Sequence, residues 1–101
     1  MDTQIYTFRE LQDRLTPVFQ QYQVKEAVLF GSYAKGTATP KSDVDLLVDS
    51  GLKGLKFVGL LETVRSALGY KEVDLFDVKH IDKGSPIDRE IAETGVTIYE
   101  Q

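Results

Sequence analysis

The sequence predicts an α/β (α+β) fold in which a small sheet of three to four strands packs with helices. Three observations carry this. Segments with helical spacing alternate with strand-like ones along the chain. Segment 43–49 is apolar on both faces beyond an acidic start, which suits a strand inside a sheet covered on both sides. The length of 101 residues, of which 42% are apolar and 28% charged, suits one domain spanning 1–101 around one core.

Residues 7 to 22 open the chain as an amphipathic helix. Thr7 and Glu10 have the spacing of a capping box, and Leu11, Leu15, Val18, Phe19 and Tyr22 recur on one side. Pro17 either kinks this helix or begins a second one, with Thr16 as its cap. Residues 25 to 30 form the first strand, and residues 43 to 49 the second. Residues 53 to 68 are a long helix carrying Leu55, Val58, Leu60, Leu61, Val64 and Leu68, stopped at Gly69. Residues 71 to 78 are a third strand, followed by a loop with His80, the one histidine. Ser85-Pro86-Ile87-Asp88 is a helix start, with Ser85 as cap, Pro86 first and Asp88 at the positive end. That helix runs to about Glu93. Gly95 turns the chain into a short final strand, Val96 to Tyr99.

The chemistry concentrates in residues 30 to 49. Gly31 and Ser32 follow the apolar run Ala27-Val28-Leu29-Phe30. Gly31 permits a tight turn and close backbone approach. Ser32 is expected to cap a short helix, Tyr33 to Lys35, that Gly36 stops. The unpaired N–H groups of such a turn suit phosphate. Asp43 and Asp45 then share one strand face, roughly 6.6 Å apart. Such a carboxylate pair suits a hard cation such as Mg²⁺. D-x-D alone also arises as a solvated strand end, so the specificity lies in its spacing from Gly31-Ser32.

Gly31-Ser32-Tyr33-Ala34-Lys35-Gly36 followed by Ser42-Asp43-Val44-Asp45-Leu46 resembles the signature of the DNA-polymerase-β-like nucleotidyltransferases, G-S-x-A-R-G then S-D-x-D-L. The length and tail resemble the minimal nucleotidyltransferase (MNT) group, common as antitoxins of HEPN–MNT toxin–antitoxin pairs. The resemblance runs from Tyr22 to Tyr99. Lys35 stands where the pattern has Arg, which keeps the charge but loses the bidentate fork.

The resemblance implies a mixed sheet, two Mg²⁺ ions and ATP as substrate. Asp43 and Asp45 would hold the metals. A third carboxylate is expected among Glu72, Asp74 and Asp77; Asp74, in its Val-Asp-Leu context, matches the family's third Asp and would also help deprotonate the acceptor. Inside a buried strand its charge would call for a metal. Asp77 is the fallback, otherwise a strand-end turn residue. Gly31 and Ser32 would bind the triphosphate. Lys35 either neutralises phosphate or is a solvated lysine, and Ser42 either binds nucleotide or shapes its loop. Tyr33 is placed near the nucleotide, Tyr99 in packing, Asp49 in a structural role and His80 at the surface.

A net charge of −4 speaks against nucleic acid as a partner, whereas a nucleoside triphosphate with Mg²⁺ fits. The chain has no cysteine, which excludes disulfides and thiol sites. Met1-Asp2-Thr3-Gln4 lacks a basic, apolar leader and no run is long enough to span a bilayer, so the cytoplasm is expected and no membrane partner. With little beyond a catalytic core, the acceptor should arrive on a partner in a hetero-oligomer. By resemblance that partner is a HEPN toxin and the acceptor a tyrosine hydroxyl, modified with AMP. The rival readings are an antitoxin that blocks its toxin sterically, and transfer to a small molecule such as an aminoglycoside, which usually comes with further domains.

Overall fold

The computed structural model describes residues 5–101; Met1 to Gln4 and the reading of them lie outside it. Helix α1, Phe8–Gln21, starts at the expected capping box: Glu10 N–H donates to Thr7 Oγ1 at 3.1 Å, and Thr7 N–H donates to the Glu10 carboxylate at 2.9 Å. Pro17 lies inside this one helix rather than starting another. The helix continues past the missing N–H because Leu15, Val18 and Phe19 on either side of it are buried.

Strands β1 (Glu26–Phe30), β2 (Val44–Asp49), β3 (Val73–Asp77) and β4 (Val96–Glu100) form a four-stranded sheet in the order β3-β2-β1-β4. β1 pairs antiparallel with β2 and β4, and β2 pairs parallel with β3, so the sheet is mixed as the resemblance implied. The parallel pair needs a crossover, which α3 (Leu55–Ala67) provides.

One face of the sheet is closed. Ala27, Leu29, Val44, Leu46, Val48, Val73 and Ile98 are buried in one cluster with α1 and α3 side chains. The other face is only half covered: Val28, Leu47 and Phe76 are partly exposed beneath α4 (Pro86–Thr94). The expected cover on both sides is corrected accordingly. The reason is that α1, which precedes β1, and α3, which links β2 to β3, lie on the same side, leaving only the short α4 for the other.

Ser85 caps α4 as expected, accepting from Asp88 N–H at 3.2 Å. In α3, Leu55 and Val58 point outward instead of joining the core, at 88% and 51% exposure. Asp77 is buried and accepts from Ser50 N–H, Ser50 Oγ and Lys79 N–H. It ties the end of β3 to the loop after β2, the structural role of a strand-end residue. Among the described residues no helix is long and apolar enough to cross a membrane.

Candidate active site

The site forms where β1 and β2 meet on the half-covered face. Gly31 ends β1 with φ +76° and serves as N-cap of helix α2, Ser32–Lys35. A Cβ at Gly31 would collide with the Asp45 carboxylate, so both backbone conformation and space require glycine. Its N–H donates to Thr94 Oγ1 at 2.9 Å, and Thr94 Oγ1 donates to the Glu90 carbonyl at 2.8 Å. The turn is thereby tied to α4, a link with no local sequence signal because Thr94 lies far along the chain.

Ser32 is the first residue of α2 rather than its cap, and no side-chain capping bond is made. Gly31 took that position because its left-handed φ lets the chain enter the helix directly from the strand. Gly36 closes the turn in the left-handed region, as expected. Lys35 is exposed in the last turn of α2. Tyr33 turns inward to 7% exposure and its ring packs in the core. Ser42 Oγ accepts from Thr39 N–H at 2.8 Å, shaping the loop before Asp43.

Asp43 is exposed just before β2, and Asp45 is half-buried within it. Parallel pairing puts Asp74 directly beside Asp45. Asp74 is exposed, a correction to its expected burial: β3 is the edge strand, paired only with β2, so its outer side stays open. Burial raises the Asp45 pKa from 3.8 to about 7, reinforced by the charge of Asp74, a hydrogen bond to its carboxyl, and the charges of Glu90 and Asp43. Glu90 thus joins the acidic face from α4, a contribution that only the tertiary fold reveals.

Asp49 lies on the same strand as Asp45, opposite Glu26 and away from Asp74. Asp77, opposite Val48, belongs to the closed face. Glu72 pairs with Arg65 at 3.3 Å. His80 is exposed with its ring edge-on to Phe57 at 5.5 Å, and Tyr99 stacks near Phe19 at 5.5 Å.

The polymerase β nucleotidyltransferase family profile matches residues 13–101. The chain belongs to the polymerase β nucleotidyltransferase family. Protein adenylyltransferase MntA of Thermococcus cleftensis is 39% identical over 75 residues, 68% of this chain and 75% of its own. A Methanocaldococcus jannaschii protein is 40% identical over 76 residues, 73% of this chain and 76% of its own. For another protein of that organism, 38% identical, the match spans 60% of this chain and 64% of the relative's length.

The fold of this nucleotidyltransferase is shared with solved structures. A toxin–antitoxin structure with AMP-PNP superposes with a TM-score of 0.74 at 22% identity, over 89% of this chain and 73% of the other. A structure of the tri-AMPylated Shewanella oneidensis HEPN toxin with its MNT antitoxin gives 0.70 at 18% identity, over 94% and 74%.

The carboxylates of the candidate site fit a hard divalent cation. The donors are carboxylate oxygens, and none of the ion pairs between described residues neutralises Asp43, Asp45 or Asp74. Among the described residues no three such side chains converge as a finished ligand shell. The remaining ligands would therefore be water and substrate phosphate, the usual complement of Mg²⁺.

Proposed function

We propose that this nucleotidyltransferase moves AMP from ATP to a hydroxyl, the tyrosine hydroxyl of a HEPN-domain toxin, and so acts as its antitoxin. The observation that carries the reading is the Asp45–Asp74 carboxyl pair set against the Gly31 turn. The name of the Thermococcus relative, protein adenylyltransferase, and the AMPylated toxin in the Shewanella complex support it.

In this reading Ser32 binds the triphosphate through its N–H and hydroxyl, Gly31 gives the backbone room for its approach while its own N–H is held by Thr94, and Ser42 orders the loop that presents Asp43. Lys35 neutralises phosphate charge at the end of α2. Asp43, Asp45 and Asp74 would hold two Mg²⁺, which supply charge stabilisation of attacking and leaving oxygens when bound. Asp74 accepts the acceptor proton as the hydroxyl oxygen bonds to the α-phosphorus. The bond from that phosphorus to the bridging oxygen breaks, and pyrophosphate leaves. Catalysis is positioning and electrostatics. The chain works as one domain, 1–101, in a hetero-oligomer with its toxin, in the cytoplasm where ATP is available.

Co-expression tests this. The wild type should restore growth to cells making the toxin, and Asp43→Asn with Asp45→Asn should not, although it still folds and binds. Neutralisation by the double variant would point instead to steric blocking.

A further inference from the structure

Beside the carboxylates lies a second feature that phosphate binding does not use. A cavity of about 330 Å³ opens between the loop before β2 and the loop before β3, lined by Lys41, Ser42, Asp43, Tyr70 and Glu72. Tyr70 is 66% exposed there. It also holds φ +63°, a left-handed conformation that is unfavourable for a bulky side chain. Its N–H donates to the Arg65 carbonyl at 2.7 Å, part of the turn that closes α3. Glycine or asparagine would make that turn with less strain. A large aromatic group kept at a strained, solvent-facing position has no packing reason to be there.

The order of the sheet says which substrate it faces. The Gly31 turn follows β1, Asp43 and Asp45 lie at the start of β2 with Asp74 beside Asp45 on β3, and Tyr70 precedes β3. The cavity therefore shares Asp43 with the candidate site and lies towards β3, away from the Gly31 turn that follows β1. We infer that this cavity is the acceptor subsite and that Tyr70 is a specificity-determining platform against which the acceptor's aromatic side chain packs. Lys41 at the rim adds a positive charge for the protein segment that carries it. The inference rests on the proposed transfer to a tyrosine.

Transfer kinetics with the purified HEPN partner, ATP and Mg²⁺ test it, using Tyr70→Ala, Tyr70→Phe and Tyr70→Gly. Tyr70→Ala and Tyr70→Gly should lower kcat/KM for the partner about tenfold and leave the KM for ATP within about twofold, while Tyr70→Phe behaves as wild type. Tyr70→Gly should melt at or a few degrees above the wild type, because it relieves the backbone strain. A raised KM for ATP with partner kinetics unchanged would assign the platform to the nucleotide and overturn the inference. Unaltered kinetics in all variants, or a lowered melting temperature for Tyr70→Gly, would overturn it too, with the proposed transfer still standing. A wild type that labels nothing would instead remove the proposed function, and this subsite with it.

Discussion

Asp45 of β2 and Asp74 of β3 are direct partners across a parallel ladder, side by side on the open face of the sheet. Beside another carboxylate, Asp45 favours taking up a proton or a cation. Their proximity costs stability until one or the other arrives.

The pH dependence follows from that cost. Asp45 titrates at about 7 in the folded protein against 3.8 ordinarily, so the native state binds the extra proton in between. Its contribution to stability is present below pH 3.8 and is lost as pH rises towards 7. Without metal, Asp45→Asn should therefore stabilise the protein at pH 8, by about 1–2 kcal/mol after allowance for solvent screening, and have little effect at pH 4. Thermal melts at both pH values check this. Millimolar Mg²⁺ should narrow the difference at pH 8 by binding the wild type.

Gly31 carries two constraints, its left-handed φ and the Asp45 carboxylate against its Cα. Gly31→Ala should lose about 1–3 kcal/mol of stability and about 100-fold in transfer rate, because the carboxylate must shift. Denaturant titration and initial rates measure the two effects.

Asp77 is the reverse case to Asp45. Burial alone would raise its pKa, yet hydrogen bonds from Ser50 and Lys79 and the charge of Lys79 outweigh it and hold the carboxyl below its ordinary 3.8. Its stabilisation is present above that value and disappears as pH falls through the lowered one. Asp77→Ala should cost about 2–3 kcal/mol at pH 7, seen as a lower melting temperature, and the cost should shrink in strong acid.

Ser32 does not cap α2. Ser32→Ala should then leave unfolding within about 0.5 kcal/mol of the wild type while raising the KM for ATP. A loss near 1 kcal/mol, typical of a removed cap, would contradict the geometry.

Much of this was legible in the sequence because it is local. The Thr7–Glu10 capping box, the Ser85-Pro86 helix start and the glycine-bounded turn at 31–36 declare themselves within a few residues. The spacing from Gly31 to Asp45, which marks the candidate site, is local in the same way. What escaped depends on sheet order. Nothing near Asp74 says that β3 is an edge strand, so its exposure has no local sequence signal. Tyr33 looked like a site residue because it sits in the motif, but a four-residue helix has to bury one side, and Tyr33 is on it. Thr94 and Glu90 act on Gly31 and Asp45 across the fold, without any sequence pattern linking them.

The central claim, that these carboxylates drive nucleotidyl transfer to a protein partner, is tested most directly by intact-mass spectrometry. The purified HEPN partner is incubated with this protein, ATP and Mg²⁺, beside the Asp43→Asn/Asp45→Asn variant. The account predicts a gain of about 329 Da per AMP on the partner, absent with the variant. An unchanged partner mass in a complex that still forms would contradict it.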